Sequence, residues 1–118
     1  MRADAMKPTG FIQWWLQGDL ELTLDVTDHI VRPGKSVKID FTEAGSGYTA
    51  ILLRTTGPYY NGQWWFRDGL NKVGGPVHGK LTEGRYQWTF EGFWREDNYD
   101  YDFEATLTKP KRGHEQTH

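Results

Sequence analysis

The chain has no cysteine, which excludes both a disulfide framework and a thiolate metal site. It has no apolar run near the roughly 18 residues that a membrane-spanning helix needs. The opening MRADAMKPTG also lacks the apolar core of a signal peptide. We therefore expect a chain that is not exported by that route, or a fragment of a longer secreted protein. Its compartment stays open, because absent cysteine suits a cytoplasmic protein and equally an extracellular or particle-associated one.

The chain also lacks a strong charge of either sign and any familiar catalytic motif. Its 14 basic and 16 acidic residues give a net charge of −2, whereas domains that neutralise nucleic-acid phosphates are usually basic. It contains no nucleophile elbow, P-loop or dinucleotide fingerprint. A paired-carboxylate glycosidase site is not expected in a chain of 118 residues without an obvious deep cleft. These absences predict a protein that is not an enzyme, needs no cofactor and does not bind nucleic acid.

The sequence is rich in aromatic residues, and its apolar and polar residues alternate with a period of two. Apolar residues make up only 36% of the chain, but 6 Trp, 6 Tyr and 6 Phe can each bury a large area. Residues 82–108 hold two long alternating runs joined by the short polar link 95–98, which predicts a long antiparallel hairpin. The other predicted strands are 11–17 (an edge strand), 20–26, 37–42, 48–56, 63–67 and 77–81.

Turn residues separate these strands. Pro33-Gly34 falls in a predicted loop at 27–36, Asn61-Gly62 is the strongest hairpin signal, and residues 68–76 are glycine-rich and predicted to be loop. About eight short strands and no helix predict an all-β, antiparallel β-sandwich of the jelly-roll type. The predicted organisation is a flexible arm at 1–10, one sandwich domain at 11–108 and a flexible polar tail at 109–118.

Three segments resemble a known family. Residues 31–41 (VRPGKSVKIDF), 48–58 (YTAILLRTTGP) and 81–107, with Gly84 and Tyr86 in a Gly-x-Tyr position, resemble the bacterial pre-peptidase C-terminal domains and related jelly-roll carbohydrate-binding modules. The resemblance covers about residues 30–108. It implies a jelly-roll sandwich attached to secreted enzymes, one that binds polysaccharide, collagen or another polymer surface, sometimes with calcium.

Adjacent tryptophans point to a binding surface. Trp14-Trp15 and Trp64-Trp65 are neighbours in predicted strands, so one member of each pair should face the core and the other should face outward. An outward aromatic ring can stack on a sugar ring while polar neighbours bind its hydroxyls. Protein contact and core packing are the alternative readings. The predicted ligand-binding residues are Tyr59, Tyr60, Asn61, Gln63, Trp65, Trp94, Arg95 and Asn98.

An acidic cluster between Glu96 and Glu104 is the candidate metal site. Calcium takes six to eight oxygen ligands, and Asp97, Asp100 and Asp102 are the predicted ligands. The cluster could also be a solvated face opposed by basic residues. His29 and His78 are isolated in the sequence and are interpreted as solvent-exposed, because zinc needs three or four convergent ligands.

The sequence leaves three functions open. The first is a non-catalytic binding module that presents loop aromatics to a polysaccharide or other polymer surface. The second is a structural or interaction subunit of a larger assembly, such as a phage or secretion particle, with the Trp pairs buried between chains of a homo-oligomer. The third is a small protein inhibitor that inserts the predicted loop 57–62 into a partner's cleft.

Overall fold

The protein is described by a computed structural model covering residues 8–67 and 73–110. Within these residues the chain forms eight antiparallel strands. They are β1 (Gly10–Leu16), β2 (Asp19–Arg32), β3 (Ser36–Glu43), β4 (Ser46–Thr56), β5 (Tyr59–Phe66), β6 (Val73–Glu83), β7 (Gln87–Glu96) and β8 (Tyr99–Thr108). The all-β class and the strand number are confirmed. In the same ranges no helix has the length and apolar character needed to cross a membrane.

The strands close into a barrel instead of stacking as two sheets. β1 pairs with β8 from Gly10 opposite Leu107 to Trp15 opposite Asp102, so the predicted sandwich is wrong and β1 is not an edge strand. Each strand pairs with the one before it in the chain, and the final β1–β8 pairing removes every sheet edge. Inward and outward residues alternate in the same way in a sandwich and in a barrel, which is why the pattern did not separate them.

The C-terminal hairpin is confirmed. β7 and β8 pair without interruption from Gln87 opposite Thr108 to Glu96 opposite Tyr99. The turn between them is shorter than the predicted link, because it contains only Asp97 and Asn98.

The predicted turn at Asn61-Gly62 is wrong. Both residues lie inside β5, and the chain turns earlier, at Gly57 and Pro58. Gly62 is needed for a different reason, since a Cβ there would lie 1.9 Å from the carbonyl oxygen of Ile51 on β4. A glycine in a strand can mark close approach of two backbones as well as a turn. Of the predicted loop at 68–76, residues 73–76 belong to β6 and residues 68–72 lie outside the described ranges.

β2 is longer than predicted and changes register part-way. Thr27 has no partner in the pairing of β2 with β3, which shifts from Val26 opposite Phe41 to Asp28 opposite Asp40. The extra residue turns His29 toward the half-buried interior and leaves Ile30 exposed on the outer wall. The predicted loop at 27–36 is therefore mostly strand, and His29 is not the solvent-exposed loop residue that was expected.

Side chains fill the barrel interior. The buried set is apolar and comes from all eight strands: Ile12, Trp14, Val26, Val37, Ile39, Phe41, Ala50, Leu52, Tyr60, Trp64, Val77, Leu81, Phe90, Trp94, Phe103, Ala105 and Leu107. As the alternation predicts, Trp14 and Trp64 point inward, while their neighbours Trp15 and Trp65 are only half-buried.

The two ends of the barrel differ. Three tight turns at one end, here called the mouth, are Gln17-Gly18, Ala44-Gly45 and Asp97-Asn98. The opposite end is crossed by Tyr60, whose hydroxyl accepts a 2.9 Å hydrogen bond from the amide of Gly34. Among the described residues, the mouth is therefore the end at which the interior is left open.

The chain ends described by the structure lie against the barrel. Gly10 starts β1, and the amide of Thr9 donates a 2.8 Å hydrogen bond to the carbonyl of Val26. Lys109 forms a 2.6 Å ion pair with Glu83. The rest of the predicted arm and tail, residues 1–7 and 111–118, lie outside the described ranges.

Candidate functional site

The mouth holds a cavity of about 300 Å³, at the lower end of the size range of small-molecule sites. Trp14, Phe41 and Trp94 form its floor, because all three are almost fully buried. Leu22, Tyr48 and Tyr101 are their cross-strand partners and form its wall. Glu21, Glu43 and Glu96 complete the lining as its rim. We call these nine residues the mouth cavity.

The floor is a cluster of three aromatic rings. The Trp14 ring centroid lies 5.2 Å from that of Phe41 and 5.3 Å from that of Trp94, and the two indoles meet edge to face. Phe41 and Trp94 are 5.9 Å apart. Each such pair contributes roughly 0.5–1.5 kcal/mol beyond the area it buries. The floor is therefore held in place by its own packing.

Two hydrogen-bond donors in this floor have no acceptor. The indole Nε1 atoms of Trp14 and Trp94 are buried without a hydrogen-bond partner among the described residues. By contrast, Trp64 Nε1 donates a 2.8 Å hydrogen bond to the carbonyl of Arg95. An unmade hydrogen bond of a buried donor costs about 1–3 kcal/mol. Buried polar groups are normally paired, so these two donors are exceptions within the floor.

Tight turns position two of the rim carboxylates. Glu43 and Glu96 are the last residues of β3 and β7, and the two-residue turns that follow have positive φ at both positions: 51° and 86° at Ala44-Gly45, and 53° and 69° at Asp97-Asn98. Such turns match the twist of an antiparallel pair and fix its register. Each carboxylate is therefore held where the interior row of its strand reaches solvent.

A local irregularity brings the third carboxylate to the rim. In the pairing of β1 with β2, Trp14 lies opposite Leu22 but Trp15 lies opposite Leu20, so Glu21 is an extra residue. Bulges of this kind redirect side chains and are common near functional sites. Leu20, which shares a face with Leu22 in the sequence pattern, is turned out to 53% exposure, and Glu21 lines the cavity instead.

The rim carboxylates lie in a strongly acidic environment. Burial, and then repulsion from Asp97 and Glu43, raise the pKa of Glu96, while the nearby indole N–H of Trp94 acts in the opposite direction. That indole lies close enough to favour the carboxylate but does not reach hydrogen-bond geometry. Burial, with repulsion from Glu96 and Glu21 next, raises the pKa of Tyr101.

The described lining contains no basic side chain. Arg95 on β7 and Arg67, which directly follows β5, are engaged outside it. Arg95 binds Asp100 through 2.7 and 3.2 Å hydrogen bonds, and Arg67 donates to the carbonyl of Tyr48 and lies 3.6 Å from Asp40. The negative charge of the rim is therefore not neutralised by any described residue of the cavity.

The structure separates the ligand-binding residues predicted from the sequence. Trp94 lies in the floor of the mouth cavity, whereas Tyr60 is buried in the core and bonds at the far end. The remaining members lie on the outer wall or in a mouth turn: Tyr59, Asn61, Gln63, Trp65, Arg95 and Asn98. The strand face decides this outcome, because alternate residues of β5 point to opposite sides of the wall.

The predicted calcium ligands are likewise placed apart from one another. Asp97 is in a turn, and Asp100 is occupied by Arg95, whose hydrogen bonds lower the pKa of Asp100. Asp102 faces outward opposite Phe93. Within residues 8–67 and 73–110, no group of three or more histidines and carboxylates has a geometry that could hold a metal ion.

Sequence reasoning missed most of the mouth cavity. Trp14 and Trp94 belong to the aromatics of the sequence pattern, but Glu21, Glu43 and Tyr48 carry no motif. The available signal was positional: Glu43 ends an alternating inward row, Val37, Ile39 and Phe41, immediately before a glycine turn. A charged residue at the end of an inward row predicts a cavity rim only when that end of the strand is known to lie at the mouth of a barrel.

Comparison of the chain with models of protein families, with curated proteins and with solved structures finds no match.

Proposed function

We propose that the chain is a non-catalytic binding protein that takes a small organic molecule, or the end group of a polymer, into the mouth cavity. The observation that carries the proposal is the rigid aromatic floor beneath a rim of three carboxylates that no basic side chain of the described lining neutralises. Ligand sites commonly combine apolar and aromatic surface with a few convergent polar groups. The proposal keeps the binding role expected from the sequence and moves the site from outer loops to the barrel mouth.

The two unpaired indole donors support the same site. Buried polar groups are normally paired, and both Trp14 and Trp94 would gain from an acceptor that reached the floor. A binding role also suits the absence of a nucleophile with a general base in the described lining. The rim offers carboxylates, and the floor offers aromatic surface and indole N–H groups. These groups can recognise a ligand, but the described lining offers no nucleophile that would react with it.

The test uses the indole N–H resonances of the 6 tryptophans. Ligands from a panel of sugars, amines and organic acids are added to the full chain while these resonances are followed by NMR. We expect a true ligand to shift the indole resonances of Trp14 and Trp94, which line the cavity, and to leave the resonance of Trp65 on the outer wall unchanged. Shifts confined to Trp65 would refute the mouth as the site.

A blocking variant sharpens this test. Leu22→Trp places a larger side chain in the cavity wall and should abolish binding, because it occupies the space of the ligand. The matched control is Leu53→Trp on the outer wall, where the native side chain is 63% exposed. Equal loss of binding in the two variants would show that the effect is not specific to the mouth.

A second candidate function is supported by the outer wall. Ile51 and Leu53 on β4 and Tyr59 on β5 are all exposed, at 39%, 63% and 50%. Apolar side chains that together form a contiguous exposed patch can mark a protein contact surface. We propose, as the alternative, an interaction subunit that contacts its own copies or a partner through this wall. Sedimentation tests it: a mass well above 13.7 kDa that returns to the monomer in Leu53→Ser supports the alternative, and a monomer at high concentration refutes self-association.

A further inference from the structure

We propose that the ligand of the mouth cavity is an organic ammonium cation. This inference rests on the proposed function and names its ligand class. Two features of the cavity support it, the charge of the rim and the aromatic chemistry of the floor, and the other ligand classes match these features less well.

The rim selects for positive charge. Glu21, Glu43 and Glu96 line one cavity, and no basic side chain of the described lining opposes them. Glu43 and Asp97 repel the charge on Glu96, which is already half-buried. A bound cation would relieve this repulsion, since opposite charges within a few ångströms favour each other's charged forms. Relief of this repulsion would therefore contribute to the binding of a cation.

The floor selects for an organic cation over a metal ion. Trp14, Phe41 and Trp94 offer aromatic surface, and Tyr48 and Tyr101 add two more rings in the wall. Aromatic faces attract alkylated ammonium groups through the ring quadrupole, with tryptophan the strongest partner. A hydrated metal ion would gain nothing from these rings, and no described group of three or more histidines and carboxylates has metal-binding geometry.

Other ligand classes fit less well. An anion would be repelled by all three carboxylates. A neutral sugar could stack on the floor and donate hydroxyl hydrogen bonds to the rim, but it would leave the repulsion between Glu43 and Glu96 in place. An ammonium ion with a hydroxyl or other oxygen could also offer an acceptor to the indole donors of Trp14 and Trp94. The cation is the class that satisfies both rim and floor.

The experiment compares a matched pair of probes on the full chain. Choline carries a quaternary ammonium group, and dimethylbutanol is the neutral alcohol of the same shape with carbon in place of nitrogen. Cellobiose represents neutral sugars. Each is titrated by calorimetry, with the Trp14 and Trp94 indole resonances followed in parallel. We expect choline to bind at least about tenfold more tightly than dimethylbutanol, and its affinity to fall with added salt.

Charge variants locate the interaction. Glu96→Gln should weaken choline binding about tenfold and leave dimethylbutanol unchanged, and Glu43→Gln should act in the same direction. The control is Glu91→Gln, which makes the same change on the outer face of β7. It should leave both affinities unaltered.

The outcomes distinguish the two levels of the proposal. If dimethylbutanol or cellobiose binds the mouth as tightly as choline, or if Glu96→Gln has no effect on choline, the cation is the wrong class although a ligand site exists. If none of the three probes moves the Trp14 and Trp94 resonances, both the ammonium class and the proposed function of the mouth are overturned.

Discussion

The indole of Trp64 on β5 donates a 2.8 Å hydrogen bond to the carbonyl of Arg95 on β7, two strands away. β6 lies between them, and it permits the contact because it has glycines at the crossing. A Cβ on Gly74 would fall 2.3 Å from atoms of the Trp64 ring, and one on Gly75 would fall 2.4 Å from the Arg95 carbonyl oxygen. Trp64 also stacks on Trp94, with ring centroids 5.9 Å apart. The glycine pair therefore supports the floor of the mouth cavity from behind.

The first prediction concerns this support. Gly75→Ala should destabilise the fold by about 1–3 kcal/mol, the usual cost of overpacking. The new methyl group would clash with the carbonyl oxygen of Arg95, which is a backbone atom of the paired strand. Urea unfolding of the variant measures the change. Thr82→Ala, on the exposed side of β6, is the control and should change stability by less than about 0.5 kcal/mol. Equal stability of Gly75→Ala and the wild type would mean that the backbone relaxes freely at the crossing.

The alternation of the sequence was enough to predict strands, but it could not predict how they close. Ile12, Trp14 and Phe103 follow the inward rows expected of them, since a one-residue slip would expose a whole row. Whether two such rows face each other across a sandwich or around a barrel depends on the pairing of β1 with β8. That pairing joins residues about 90 positions apart in the chain and leaves no local signal.

The mouth cavity was hidden by its irregularities. Glu21 reaches the rim only because it is an extra residue opposite Trp14 and Trp15, and the clean alternation of the leucines around it predicted the opposite orientation for Leu20. The turn predicted at Asn61-Gly62 was wrong for a related reason. A glycine required for the close approach of two strands cannot be told from a turn glycine in the sequence. Residues in regular rows were predictable, and those at register shifts were not.

The second prediction is that Glu96→Gln stabilises the protein at neutral pH. Burial, and then repulsion from Asp97 and Glu43, raise the pKa of Glu96 in the fold, although the Trp94 indole partly offsets this. The folded state therefore binds the proton more tightly than the unfolded state does. Stability falls as pH rises from the ordinary glutamate value through the raised one, and it stays reduced above that range.

Urea unfolding at about pH 4 and about pH 7.5 tests this linkage. At the higher pH the glutamine variant should exceed the wild type by less than about 1 kcal/mol, since the carboxylate is only half-buried and solvent screens it. The difference should shrink at the lower pH. Glu91→Gln on the outer wall is the control, and a Glu96→Gln variant that is less stable than the wild type at the higher pH would contradict the prediction.

The third prediction is that choline affinity rises with pH across the same range. A choline bound at the mouth would favour the charged form of Glu96, so the cation would compete with the proton for that carboxylate. Glu21, Glu43 and Tyr101 also face the cavity, and Tyr101, with its raised pKa, stays neutral throughout. Calorimetry at about pH 4.5 and about pH 7.5 should show a gain in affinity that is largely lost in Glu96→Gln. An unchanged pH profile in that variant would refute the assignment of the pH dependence to Glu96.

The fourth prediction concerns the opposite end of the barrel, where a 2.8 Å hydrogen bond joins Thr9 Oγ1 and His29 Nδ1. Burial lowers the pKa of His29, with Asp28 and the backbone of Thr108 acting the other way. The unfolded chain therefore takes up a proton more readily than the fold does. Stability should be full above the ordinary histidine value of about 6.5 and should fall as pH drops through the lowered one.

Unfolding at about pH 5 and about pH 7.5 checks this sign, with His29→Gln as the variant. Replacing His29 should flatten the loss of stability on acidification, whereas His78→Gln, on the outer wall beside Asn61, should leave it in place. The slope of the unfolding free energy against pH would also separate the titration of Glu96 from that of His29. Glu96 makes the fold more stable as pH falls, and His29 makes it less stable, in windows set by carboxylate and imidazole chemistry respectively. If His29→Gln and the wild type lose stability in parallel, His29 is protonated as easily in the fold as in the unfolded chain.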